Sequence, residues 1–226
     1  LREHLQANWA QGEHLSIIAP TGRGKTTIAV AGLLPLWEYK IILDGKGADP
    51  MLNAAGKRVA RYPSGILARL DEAKSYVIQP PLGRATPDST AAATFRDTMD
   101  EVWRGRNWTV YIDELRLFSD RKYYDLGEDL DRLWLFGRSR GLTLIAGTQA
   151  PRFVPAAFYE QPRHFLISYV RDLRALKRLE EIGGDTDAIR QTVPDLEPFE
   201  FLYVGPEGMA RSRLELSAVR ARKQAG

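Results

Sequence analysis

The chain has 226 residues, with 32 lysines and arginines against 29 acidic residues, a formal net charge of +3. That length suits one α/β domain over residues 1–226 with a sizeable core, and so small a positive excess does not by itself argue for nucleic acid. Cysteine is absent, which excludes disulfides, cysteine-ligated zinc, iron–sulfur clusters and thiol catalysis, and no apolar run is long enough to cross a bilayer.

In chain order, Arg2 to Ala10 reads as a helix and Leu15 to Ile18 as the first strand. A glycine-rich loop follows, then a helix from Lys25 to about Trp37. The second strand, Lys40 to Leu43, ends in Asp44-Gly-Lys-Gly47. Met51 to Ala73 gives no clear period, and Tyr76 to Ile78 reads as the third strand. A loop rich in Pro and Gly, Pro80 to Asp88, precedes a helix at Ala91 to Trp103. The fourth strand is Thr109 to Ile112, followed by a charged loop and a helix from about Asp125 to Arg138. The fifth strand is Thr143 to Ala146 and the sixth His164 to Val170, the latter followed by a helix to about Ile182. Phe201 to Val204 and Arg211 to Leu216 pair as a terminal hairpin across Gly205-Pro-Glu-Gly208. Strand and helix alternate, which predicts a mostly parallel sheet covered on both faces. The core spans about 14–204, and a hairpin and basic tail occupy about 200–226, the tail carrying Arg211, Arg213, Arg220, Arg222 and Lys223 against Glu215 alone.

Ala19-Pro-Thr-Gly-Arg-Gly-Lys-Thr26 sits between a strand and a helix. In that setting a glycine-rich loop turns backbone N–H groups onto a polyphosphate, and the helix N-terminus adds its positive end. Thr21, Gly22, Arg23, Gly24, Lys25, Thr26 and Thr27 are the expected nucleotide-binding residues, with Lys25 on the β- and γ-phosphates and the Thr26 hydroxyl on Mg²⁺. The pattern asks for glycine where this chain has Ala19. The fourth strand ends in Asp113-Glu114. Asp113 would hold Mg²⁺, partly through water, and Glu114 would polarise an attacking water. Gln149, at the end of the fifth strand, would face the γ-phosphate, because strand carboxyl ends line the ligand crevice in a parallel sheet. Arg138 and Arg140 are candidates to enter a neighbouring subunit's site and neutralise charge on the γ-phosphoryl group, Arg138 being the first choice.

Four pieces in order resemble the FtsK/HerA superfamily of DNA-pumping ATPases: Thr-Gly-Arg-Gly-Lys-Thr26, Asp44-Gly-Lys-Gly47, Tyr-Ile-Asp-Glu114 and Arg-Gly-Leu-Thr-Leu-Ile-Ala-Gly-Thr-Gln149. The resemblance spans about Leu15 to Val204 and departs from the family at Ala19 and Arg23. It implies a RecA-like P-loop fold of the ASCE type, with ATP and Mg²⁺ as cofactors. It also implies a homo-oligomeric ring, a hexamer in most of the superfamily, around double-stranded DNA. A compact member looks like a viral or mobile-element genome-packaging ATPase, with capsid, portal or membrane-assembly proteins as partners. Its place would be the cytoplasm or the packaging vertex of a virion. Asp44 and Lys46 match the second-strand motif, whose role stays open. The loops with Arg84 and with Arg121, Lys122, Tyr123 and Tyr124 are the candidates for DNA contact. A secretion or virion-assembly ATPase of the same superfamily is the alternative, and a small-molecule phosphotransferase a weaker one.

Overall fold

Within each apolar strand, successive side chains point to opposite faces of the sheet. Here both faces are covered, so the strands are apolar throughout rather than alternating. The computed structural model describes residues 1–47, 49–59, 73–80 and 89–214. In chain order it contains α1 (Arg2–Asn8), β1 (Leu15–Ile18), α2 (Lys25–Ile28), β2 (Lys40–Leu43), α3 (Pro50–Asn53), β3 (Lys57–Val59) and β4 (Ser75–Ile78). Then come α4 (Ser89–Arg104), β5 (Thr109–Ile112), α5 (Leu115–Ser119), α6 (Gly127–Phe136), β6 (Thr143–Thr148), α7 (Ala157–Glu160) and β7 (His164–Ile167). The described chain closes with α8 (Leu173–Leu179), α9 (Thr186–Thr192), β8 (Glu200–Gly205) and β9 (Gly208–Arg213).

Among the described residues the strands form one nine-stranded sheet in the order β3-β4-β2-β5-β6-β1-β7-β8-β9. The pairs from β3 to β7 are parallel, and β7–β8 and β8–β9 are antiparallel. This is the expected mostly parallel α/β sheet with a closing hairpin. The hairpin is tighter than the sequence suggested: Gly205 pairs with Gly208, so β9 starts at Gly208, three residues before the expected Arg211.

The alternation assigns each strand residue to one of two cores. Ile41 and Leu43, Val110 and Ile112, and Leu144 and Ala146 face α4, α5, α6 and α7. Ile42, Tyr111 and Ile145 face α1 and α2, with Leu5, Trp9, Ile28 and Leu33. Each such side chain, fully buried, stabilises the fold by about 1.5–3 kcal/mol.

The helix expected from Lys25 to Trp37 is helical to Leu36, but only its first turn is α-helical. A π-turn, Ala29–Leu33, and a 3-10 turn, Leu34–Leu36, follow. Pro35 lacks an N–H and its ring blocks a regular α-turn. The unclear segment after Met51 begins as α3 and the edge strand β3; residues 60–72 lie outside the described residues. So do 81–88, with the Arg84 loop, and 215–226, with most of the basic tail. Arg211 and Arg213 are described, and they pair with Glu200 and Glu197 on the hairpin rather than standing free.

His14, just before β1, ties the start of that strand to β6 and α6. Its Nδ1 accepts from the Leu144 N–H at 3.0 Å, so Nε2 carries the proton and donates to the Trp134 carbonyl at 3.1 Å. Burial pushes this imidazole down to about 4. A depressed histidine binds its proton more weakly in the folded chain, so stability is complete above about pH 6.5 and falls between there and about pH 4. Urea unfolding across that range is expected to lose about 3 kcal/mol from this group, and His14→Gln is expected to flatten the slope.

Candidate active site

The strand order places four motif-bearing carboxyl ends side by side, on β1, β6, β5 and β2. Gly22 and Gly24 adopt φ of +78° and +94°, the left-handed conformation that glycine takes without strain. They bend the loop back so that Lys25 begins the helical run and its side chain returns over β6. A Cβ on Gly147 of β6 would lie 2.8 Å from the Asp113 carbonyl and 2.9 Å from Lys25 Cδ. The bare glycine is what lets Lys25 cross from β1 to β5.

There Lys25 Nζ reaches Asp113, 2.7 Å from Oδ1, and also bonds the Asp113 carbonyl. The Thr26 hydroxyl donates to the same Oδ1 at 2.8 Å, as does the Tyr111 hydroxyl at 2.8 Å. Tyr111 precedes Asp113 by two residues on a strand, so both project to one face. Lys46 Nζ holds the other oxygen, Oδ2, at 2.9 Å. Burial opposes ionisation of Asp113, but Lys25 and Lys46 outweigh it and hold the carboxyl well below the usual carboxylate range. Burial also lowers the Lys25 ammonium against the pull of Asp113, and burial together with Asp113 raises the Tyr111 phenol well above its ordinary value.

Glu114 lies on the opposite side of the strand end. Its carboxylate accepts from the Thr148 hydroxyl at 3.0 Å and from the Gln149 N–H at 3.0 Å. Gln149 Oε1 in turn accepts from the Thr21 hydroxyl at 2.6 Å. The loop, the acidic pair and the β6 end are therefore joined by direct hydrogen bonds. A cleft of about 380 Å³ opens over them, lined by Thr21, Gly22, Gly24, Lys25, Thr26, Thr27, Lys46, Asp113 and Gln149 together with Phe199.

Arg23 turns away from this cleft; it stacks on Tyr169, 4.1 Å from the ring centroid, and donates to the Leu196 carbonyl. Arg138 and Arg140 lie in the turn before β6, at the amino edge of the sheet, across the molecule from the chain's own cleft. Arg140 donates to the Trp103 carbonyl at 2.8 Å and stacks on its ring, whereas Arg138 is exposed. In the loop after α5, Arg121, Lys122 and Tyr123 are exposed, but Tyr124 is core: it packs on Phe95 and Phe118 and cannot contact DNA without unpacking them.

Tyr111, buried behind Asp113, and Phe199, in the cleft lining, were not foreseen as parts of the site. Tyr111 was legible from its two-residue spacing to Asp113. Phe199 carried no signal: it sits at φ +65°, rare for a bulky residue, with its ring against the phosphate loop. A Cβ on Gly24 would meet that ring at 2.7 Å.

The donor set at Thr26 and Asp113, a hydroxyl and a carboxylate, consists of hard oxygens and suits Mg²⁺, which keeps waters and substrate oxygens as its other ligands. Among the described residues no cluster of three or more His, Asp or Glu side chains is arranged to hold a metal ion.

No protein-family model matches the chain, and no curated protein matches it. Solved structures do. The DNA-packaging ATPase B204 of Sulfolobus turreted icosahedral virus superposes with a TM-score of 0.68 at 18% identity, over 91% of this chain and 100% of that one. The chain has the fold of a P-loop ATPase. VirB4 of Thermoanaerobacter pseudethanolicus gives a TM-score of 0.67 at 11% identity over 89% of each chain. EccC of Thermomonospora curvata gives 0.59 at 12% identity, over 93% of this chain and 38% of that one. The RecA-like architecture implied by the motifs is thus the architecture found. Among the described residues no helix is long and apolar enough to cross a membrane.

Gly147→Ala is expected to cost about 1–3 kcal/mol in urea unfolding, because backbone and a buried lysine stem must both move. Gly32→Ala, whose added Cβ would meet only Ile28 at 3.5 Å, is expected to be neutral or stabilising by up to about 1 kcal/mol.

Proposed function

We propose that this chain hydrolyses ATP and uses the energy to move double-stranded DNA through a ring of identical copies, as a genome-packaging or DNA-transfer motor. The observation that carries this reading is the joined set Lys25–Thr26–Asp113 and Glu114–Gln149–Thr21 around one cleft. The likeness to the packaging ATPase B204 along that protein's whole length supports the packaging role.

In this reading the loop N–H groups and Lys25 bind the phosphate chain. Thr26 and Asp113 would hold Mg²⁺, which would supply positive charge to the triphosphate. Gln149 orients the attacking water and Glu114 takes its proton. Phe199 packs at the mouth, against the base or ribose side of the nucleotide. Arg138 serves the next copy's site. Its neighbours Leu135 and Phe136 are 52% and 58% exposed, an apolar flank suited to burial between copies. A heterologous contact of this kind, amino edge to carboxyl edge, closes into a ring when its rotation permits. Arg121 and Lys122 are the described candidates for the DNA backbone.

The VirB4 and EccC likenesses support a second reading, a secretion or assembly ATPase on the same chemistry. Capsid, portal or membrane-assembly proteins would then be its partners.

Phosphate release from ATP with and without duplex DNA separates the two. Packaging or transfer expects stimulation by duplex DNA that fades with salt; hydrolysis indifferent to DNA under ring-forming conditions removes the motor reading. Lys25→Ala is expected to abolish turnover, and Glu114→Gln to keep ATP bound while turnover drops about 100-fold or more. Mixing Arg138→Ala copies with Glu114→Gln copies is expected to restore activity above either alone, since some junctions regain both groups. No recovery would remove Arg138 from the trans role.

A further inference from the structure

The turn after β2 is the one motif whose chemistry the proposed function leaves unused, and it is built to aim a lysine. Asp44 Oδ1 accepts from the N–H groups of Lys46 at 3.1 Å and Gly47 at 2.9 Å. Its Oδ2 accepts from Gln79 Nε2 at 3.0 Å. Gln79 is held in turn by the Arg58 guanidinium, at 3.0 and 2.7 Å to Oε1. The Tyr124 hydroxyl donates to the Gly45 carbonyl at 2.7 Å, and a Cβ on Gly45 would strike the Phe118 ring at 2.8 Å. Residues of β3, the β4 end, α5 and the loop before α6 thus brace one four-residue turn. The turn is fixed, and the Lys46 side chain, 38% exposed, is its movable part.

Lys46 lines the cleft with Lys25 and Thr26. It is the only side chain among the described residues that holds Asp113 Oδ2, whereas Lys25, Thr26 and Tyr111 crowd Oδ1. Tyr111 is fully buried and cannot leave. Of the two Asp113 oxygens Oδ2 has the single partner, so it is the one most open to a hydrated cation, whose charge would repel the Lys46 ammonium from it. The flexible four-carbon stem of Lys46 then carries an unpaired ammonium on a wall of the phosphate cleft.

We propose that Lys46 is a second phosphate-binding lysine. It guards Asp113 Oδ2 while the cleft is empty and transfers to the polyphosphate chain of a nucleoside triphosphate when a divalent cation takes that oxygen. The proposal rests on the nucleotide reading of the cleft and adds a ligand to it. The transfer keeps charge balanced at each stage: Asp113 exchanges an ammonium for a cation, and the phosphate chain gains a cation as it enters a partly buried site.

Calorimetric titration of the full chain with AMPPCP and with AMP, each in excess Mg²⁺, tests it in the parent, Lys46→Met and Lys46→Arg. A charge-assisted contact to the outer phosphates is expected to make Lys46→Met bind AMPPCP about tenfold or more weakly, with AMP changed less than about twofold. Lys46→Arg is expected to recover most of the loss. Unchanged or tighter AMPPCP binding by Lys46→Met would overturn the proposal, because a lysine that merely guards Asp113 competes with the cation and its removal helps. Equal weakening of AMP and AMPPCP would overturn it too, as general damage to the site. Should Lys46→Met fail to fold, Lys46→Gln takes its place in the same comparison. A parent that binds neither ligand sinks the nucleotide reading and this proposal together; a parent that binds both, beside an unaltered Lys46→Met, sinks this proposal alone.

Discussion

One carboxylate organises this molecule. Asp113 is buried, and a buried charge is tolerated only when it is paired and hydrogen-bonded. Tyr111 of β5, Lys46 in the turn after β2, and Lys25 and Thr26 at the start of α2 satisfy it. Removing one partner from such a group costs about 3–5 kcal/mol, far more than an exposed pair contributes. The arrangement is therefore a constraint on packing as well as on chemistry. The loop must approach β5, β6 must be bare at Gly147, and the β2 turn must face inward, or the charge is stranded.

A second set of bonds makes the cleft a single mechanical unit. Glu114 is fixed by Thr148 and the Gln149 backbone, and the Gln149 side chain is fixed by Thr21. Three hydrogen bonds thus link the loop, the β6 end and Glu114. Just beyond Glu114 lies α5 and then the exposed Arg121–Lys122 loop, so the same path leads to the surface. Phe199 closes the other side, where the chain enters β8. The antiparallel end of the sheet is thereby in contact with the phosphate loop.

Much of this was legible in the residues. The runs Leu15–Ile18, Lys40–Leu43 and Thr109–Ile112 are strands to the residue, because each is a largely apolar run that leads at its carboxyl end into a motif of turn-forming or acidic residues. That Lys25, Thr26 and Asp113 meet in one place was readable too, because their motifs follow the carboxyl ends of β1 and β5. What escaped was decided by tertiary contact. The edge strand β3 is three residues long and mostly charged, with no period to read. Helix α5 hides in five residues after the acidic pair. Tyr124 is core only because Phe95 and Phe118 are there to receive it. Phe199 holds a left-handed backbone that no bulky side chain advertises. Lys46 was visible, but its partner lies 67 residues away across two loops.

The interleaving of β5 and β6 between β2 and β1 carries a consequence for how the protein is made. A nascent chain that has emerged only through Asp113 already contains the loop, both lysines and the acid. It still lacks β6, the strand that joins β1 to β5 in the sheet. Until Thr148 leaves the ribosome, Lys25 and Asp113 have no common scaffold, and loop closure over such distances is slow. The cleft therefore comes together only after β6 has been made, and a chain truncated before it carries the loop, both lysines and the acid without the strand that brings them together.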